Sequence, residues 1–168
     1  MLDINYLNAL FQVNPRYSVK NDKVCHFTKV QYNEILDRIH SQIYKANIYD
    51  ATIPKEGKTN RNIKWREDNP EIYDNLLEML DGDVCNILKR IHKDEFAKMD
   101  MDRNTWNPRL NFHGKVVYIY QHKEIILDRE VELYIKFNFS SEVEEDDTIY
   151  LTSCHEPQKP IIKIPPLL

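Results

Sequence analysis

The run ELYIKFNFSSEVEEDDTIYLTSCHEP, residues 132–157, holds two apolar, β-rich segments joined by a polar turn. Each segment carries two polar groups spaced two positions apart, Tyr134 and Lys136 on the first, Ser153 and His155 on the second. A period of two puts each pair on one side of its strand. An imidazole titrates near neutral pH, an ammonium is a compact point charge, and a phenol both donates and accepts hydrogen bonds. Such a set suits acid–base chemistry at a phosphate. It needs a base for a hydroxyl nucleophile, an acid for the leaving oxygen, and cations for the charge that develops between them. RNA brings its own nucleophile, the 2′-hydroxyl, so Tyr, Lys and His can fill these roles without a metal.

The elements that must position these groups are legible as periodicities. In residues 130–139, Leu133, Ile135, Phe137 and Phe139 alternate with Glu132, Tyr134, Lys136 and Asn138. The apolar set is expected beneath helices and the polar set on an open face. In residues 148–155, Ile149, Leu151, Ser153 and His155 are expected to project together. Val116 to Tyr120 forms an earlier β-rich run, and QHKEIILD and SSEVEEDD have hairpin length, which predicts an antiparallel meander. The tail PQKPIIKIPPLL is expected to add an edge strand at Ile161 to Ile164.

Upstream, the chain reads as helices. One is predicted over residues 1–12, ended by Pro15, and a second over 29–48, with Thr28 and Gln31 in a capping-box pattern. A third starts at Asn69-Pro70 and is closed by Gly82, and a fourth carries Val84, Ile87, Leu88 and Ile91. HKDEFAKMD is expected to form a short helix with Phe96 inward and Lys98 on its flank. The fold class is therefore α+β, with N-terminal helices packed on one face of a C-terminal antiparallel sheet of three to four strands. One domain, 1–168, is expected, helical over 1–100 and sheet over 105–164.

Between them lies TIPKEGKTNRNIKWRED, read as a loop because turn residues abound and no periodicity shows. It holds Lys55, Lys58, Arg61, Lys64 and Arg66 against the single acid Glu56, with Trp65 among them. The functional reading is a basic patch able to meet phosphates, with Trp65 to stack on a base.

Composition narrows the classes. Three scattered glycines in 168 residues exclude the glycine-rich loops that cradle nucleotide phosphates. Three widely spaced cysteines, none in a CxxC pair, argue against a disulfide framework or a zinc knuckle. Asp100, Asp102 and Asn104 mimic a calcium loop, but Thr105 stands where the turn needs glycine, and no metal or cofactor is expected. No apolar run reaches the roughly 18 residues of a membrane span, and a cytoplasmic protein is expected. The net charge of −4 gives no global footprint for nucleic acid, so any such site must be local.

DEFAKM at 94–99, TWN at 105–107, LYIKF at 133–137 and IYLTSCHE at 149–156 resemble, in type and order, the landmarks of MqsR-type bacterial toxins. These belong to the wider RelE, colicin and EndoU-like group of small endoribonucleases. The resemblance covers about residues 91–156 and implies an active site of Lys98, Asn107, Tyr134 and His155, with Lys136 and Ser153 in support. His155 stands where these toxins carry a lysine, and Asn107 where they carry a glutamine. The implied activity is RNA cleavage through 2′-hydroxyl attack to a 2′,3′-cyclic phosphate. Single-stranded or ribosome-bound RNA would be the substrate, and a protein antitoxin or inhibitor the partner. Lys58, Arg61, Lys64, Trp65, Arg66 and Trp106 would then bind RNA. A competing reading, from the acidic balance and EVEEDD, is a non-enzymatic binding module such as an immunity protein, an antitoxin-like protein or a phage accessory protein.

Overall fold

The computed structural model describes residues 29–101, 116–139 and 148–163. The expected helix over residues 1–12 and the residues Trp106 and Asn107 lie outside them. Helix α1 (Lys29–Lys45) buries Ile35, Leu36, Ile39 and Ile43, the spacing that marks it in the sequence. Strand β1 (Asn47–Asp50) follows at once.

The segment read as a loop contains a helix, α2 (Arg61–Asp68). Asn60 caps it by accepting a hydrogen bond from the Ile63 amide at 3.0 Å. Asparagine is a favoured capping residue, but two turns with two buried residues, Asn62 and Trp65, show no apolar period. Helix α3 (Pro70–Met79) begins with proline in its first turn, as expected. Gly82 follows it at φ 80°, its amide donating to the Leu77 carbonyl at 2.8 Å.

The helix expected at Val84 is a 3-10 helix, Val84–Lys89, capped by Asp83. The expected HKDEFAKMD helix is corrected more deeply: a single 3-10 turn, Lys93–Glu95, leads into strand β2 (Phe96–Met101). Its residues pair with strand β3 (Val116–Ile126), Met99 opposite Tyr118. That pairing buries Phe96 and Met99, which tertiary contact favours over a lone helical turn.

QHKEIILD is likewise mostly strand rather than connection. β3 runs to Ile126, and a two-residue turn, Leu127 and Asp128 at φ 51° and 59°, leads to β4 (Arg129–Phe139). The alternation was hidden because the inward positions of this stretch include His122 and Glu124, both buried. β5 (Thr148–His155) closes the set. The sheet is mixed, in the order β1-β5-β4-β3-β2, with β1 parallel to β5 and the other pairings antiparallel. The expected plain antiparallel meander is thus corrected: the N-terminal part of the chain supplies both edge strands.

Apolar residues of α1, α2 and α3 share one buried cluster with Tyr118, Tyr120, Leu133, Ile135, Phe137, Ile149 and Leu151. Ala97, Val117 and Ile119, of opposite parity in the sheet, form a second, smaller cluster with Tyr134 and Ile161. Ile161 belongs to no strand, contrary to expectation. Pro157 and Pro160 remove two backbone donors from the segment, and it lies against the second cluster instead.

Candidate functional site

Cross-strand register assembles the site. Lys98 lies opposite Ile119, Ile119 opposite Lys136, and Lys136 opposite Ser153, so one row crosses four strands. The neighbouring row runs from Gln121 through Tyr134 to His155.

Two bulges make this row possible. In β5 the pairing jumps between Phe137–Leu151 and Lys136–Ser153, which leaves Thr152 as an extra residue. The Thr152 hydroxyl donates to the Lys136 carbonyl at 3.1 Å. In β2 the register shifts between Phe96 and Lys98, leaving Ala97 extra. The expectation that Ile149, Leu151, Ser153 and His155 project together is therefore wrong. Ile149 and Leu151 belong to the main core, whereas past the bulge Ser153 and His155 turn to the parity of Tyr134 and Lys136. A strict period of two cannot express that change.

The edge of β5 beyond β1 is closed by a side chain. Asn62 of α2, only 3% exposed, donates to the Thr152 carbonyl at 3.1 Å and accepts from the Cys154 amide at 2.9 Å. It occupies the place of a neighbouring strand residue. This anchor brings the first turn of α2, and so Arg61, beside His155.

The result is a cavity of about 640 Å³ lined by Arg61, Lys98, Tyr134, Lys136, Ser153 and His155, with residues 157–162 as one wall. Among its described lining residues are four cations, Arg61, Lys98, Lys136 and Lys159, and no carboxylate. In a chain of net charge −4 such a concentration of one sign is a local positive patch, the kind of potential that attracts anions. Its strand residues bring five of the six candidate catalytic groups together.

His155 is buried, 5% exposed, with its ring stacked on Tyr134 at 5.6 Å between centroids and 30° between planes. Its Nδ1 lies 2.9 Å from the Glu156 carbonyl oxygen. A carbonyl only accepts, so Nδ1 carries the proton and Nε2 of the neutral ring carries the lone pair. Burial lowers the ring's proton affinity below that of an ordinary histidine. The bond to Glu156 opposes this, and the charges of Arg61, Lys136 and Arg66 reinforce it. The site thus holds a neutral imidazole among cations, the form a general base requires.

The basic segment divides. Arg61 enters the cavity, but Lys58, exposed in the preceding turn, lines neither it nor the cavity beside it. Lys64 pairs with Asp68 one turn on, at 3.7 Å. Arg66 lies over the Tyr73 ring, 4.4 Å from its centroid, and donates to the Thr52 hydroxyl at 2.7 Å. Trp65, 8% exposed, is a core residue: it packs edge-on against Tyr73, and its Nε1 donates to Glu156 Oε2 at 2.8 Å. The expected exposed stacking platform is thus corrected: the indole is mostly buried and reaches only the edge of a small cavity. Asn60, Asn62, Thr152 and Lys159 were not foreseen. Only the Asn60 cap pattern offered a signal.

No protein-family model, curated protein or solved structure matches this chain. Among the described residues, no three His, Cys, Asp or Glu side chains gather in a way that could hold a metal ion, and no helix is long and apolar enough to cross a membrane.

Proposed function

We propose that the chain is a metal-independent endoribonuclease of the toxin type, cleaving RNA by 2′-hydroxyl attack to leave a 2′,3′-cyclic phosphate. What carries the reading is one observation: a neutral, buried imidazole stacked on a tyrosine in a cavity whose described lining holds four cations and no carboxylate. On this reading the helices cover the apolar sheet face and leave the other to RNA. His155 Nε2 takes the 2′-hydroxyl proton. As the phosphorus–oxygen bond to the 2′-oxygen forms and that to the 5′-oxygen breaks, the leaving oxygen takes a proton from a second donor. Tyr134, beside His155, is assigned that role. Lys136, Lys98 and Arg61 stabilise the charge gathering on the phosphate, and Ser153 adds a hydroxyl donor. A protein antitoxin that covers the cavity would complete the system, and the cytoplasm would be its place of action.

The test is cleavage of a single-stranded RNA in the presence of a chelator, with the product ends identified. His155→Ala and Tyr134→Phe are each expected to lose at least about tenfold in rate, a conservative floor beneath the roughly 10²- to 10⁴-fold that an acid or base group supplies. Wild-type rates in both variants would end the assignment. Expression without any neighbouring gene separates the alternatives in cells. Growth arrest relieved by His155→Ala supports the nuclease, and harmless overexpression with no cleavage supports the binding module.

A further inference from the structure

His155 is shared by two cavities. The larger is the cation-lined one, and the smaller, about 230 Å³, adjoins it and is lined by Lys64, Trp65, Asp68, Asn69 and Glu156. Arg61, Pro157 and Gln158 border both. The two differ in chemistry: among the described residues the charged side chains of the first are cations, whereas the second mixes cations with carboxylate and amide oxygens.

A nucleotide has the same division. Its phosphate is a polyanion, its base is neutral with donors and acceptors along one edge, and the ribose with its 2′-hydroxyl joins them. A group that must reach the 2′-hydroxyl belongs at the boundary, and His155 is the imidazole that stands there. Resting on the reading of the larger cavity as the phosphate site, we infer that the smaller cavity seats the base of the nucleotide whose 2′-hydroxyl is attacked, and that Asp68 and Asn69 select it.

The hydrogen-bond inventory says which bases fit. Glu156 is committed at both oxygens, Oε2 to Trp65 and Oε1 to Arg129 at 2.8 Å. Asn69 donates from Nδ2 to the Trp65 carbonyl at 3.0 Å, which turns its Oδ1 into the available acceptor. Asp68 is 62% exposed and pairs with Lys64 at 3.7 Å, a distance beyond a hydrogen bond. Lys64, Arg61 and Gln158 bring donors that can meet any base carbonyl, so the readers that discriminate, Asp68 and Asn69, are acceptors. They match adenine, cytosine or guanine, whose exocyclic amino groups donate, better than uracil, whose edge carries two carbonyls and one N–H.

Binding of 2′-deoxy oligonucleotides tests this apart from catalysis, because they lack the nucleophile. Short homopolymers of deoxyadenylate, deoxycytidylate and deoxyuridylate are titrated into wild type and Asp68→Asn by fluorescence anisotropy. Wild type is expected to bind at least one amino-bearing polymer more tightly than deoxyuridylate by roughly 5- to 150-fold, the range of a well-formed base contact. Asp68→Asn, exposed and isosteric, should keep the wild-type Tm and shrink that ratio at least about threefold. Equal binding of all three polymers, no binding of any, or an undiminished ratio in Asp68→Asn would overturn the inference. The ribose versions report on the nuclease reading by itself: selective binding of the deoxy polymers with uncut RNA would sink that reading and leave the base pocket standing.

Discussion

Two buried histidines on the same sheet have opposite surroundings. His122 in β3 sits between carboxylates, its Nδ1 2.8 Å from Glu95 and its Nε2 2.7 Å from Glu124, which in turn receives Arg90 at 2.5 and 3.0 Å. His155 in β5 has a backbone carbonyl on one nitrogen, a tyrosine ring against its face and, among the described residues, cations as the charged groups lining the larger cavity. The first cluster closes on itself: both carboxylates and both ring nitrogens have a partner at hydrogen-bond distance. The second gathers cations around a cavity whose described lining carries no carboxylate. Buried polarity that is satisfied internally ties elements together, here the 3-10 turn at Glu95, Arg90 and β3. Polarity left one-signed in a cavity marks a place for a ligand.

The sharpest way to break this contrast is to remove each histidine in turn. His155→Ala is expected to cut RNA cleavage by about 10²- to 10⁴-fold, the span of a general base, measured as single-turnover rate. His122→Ala should leave the rate per folded molecule near wild type and lower unfolding free energy by about 3 kcal/mol, as when one member of a buried ionic network is lost. Urea denaturation of both variants reads the second effect. If His122→Ala abolished cleavage while remaining fully folded, the division between structural and reactive clusters would be wrong.

Acid should affect the clusters differently. Burial alone would raise the Glu124 carboxyl, but hydrogen bonds from Arg90 and His122 and their charges outweigh it and hold it below the usual range. A carboxyl depressed in the folded state binds its proton more readily when unfolded. Its contribution to stability is therefore complete above the ordinary value of 4.5 and is lost as pH falls through the folded-state value. Glu124→Gln should flatten the acid limb of stability against pH. For His155, lowered by burial, the rate of cleavage should fall on the acid side with a midpoint below the ordinary 6.5. A midpoint above 6.5 would contradict its surroundings.

Part of this molecule was readable from its sequence. The alternation in 130–139 put Tyr134 and Lys136 on one side because β4 keeps a strict period of two from Val131 to Phe137. The spacing of Ile35, Ile39 and Ile43 gave α1 for the same kind of reason. The joining of Ser153 and His155 to that face came from a bulge at Thr152, and Lys98 reached it from a strand where a helix was expected. Bulges depend on the partner strand, so a single segment carries no trace of them. Tertiary context also overrode local signals at Trp65, whose basic neighbours suggested a surface role and whose indole instead lies in the core.

Salt dependence sharpens the comparison at smaller cost to the protein. If Lys136 and Arg61 each neutralise a phosphate, Lys136→Ala and Arg61→Ala should each reduce the slope of log affinity against log salt by about 0.7 for a single strand. Binding of an oligonucleotide in the presence of the His155→Ala change isolates this from cleavage. Unchanged slopes in both would mean that the cavity's cations do not meet phosphate.

The smallest effect is expected from Arg66, and it separates a cation's charge from its company. Arg66 lies in the same helix as Arg61, yet its guanidinium rests on Tyr73 and donates to Thr52. Arg66→Ala should lower stability by about 0.5–1 kcal/mol, the worth of a partly exposed cation–π contact. The salt slope of binding should stay at its wild-type value, because the charge faces the protein's own ring and hydroxyl. Arg61→Ala should do the reverse. A drop in slope for Arg66→Ala equal to that for Arg61→Ala would show that the basic run acts as one diffuse patch, and that the geometry separating its members has no bearing on which of them an anion meets.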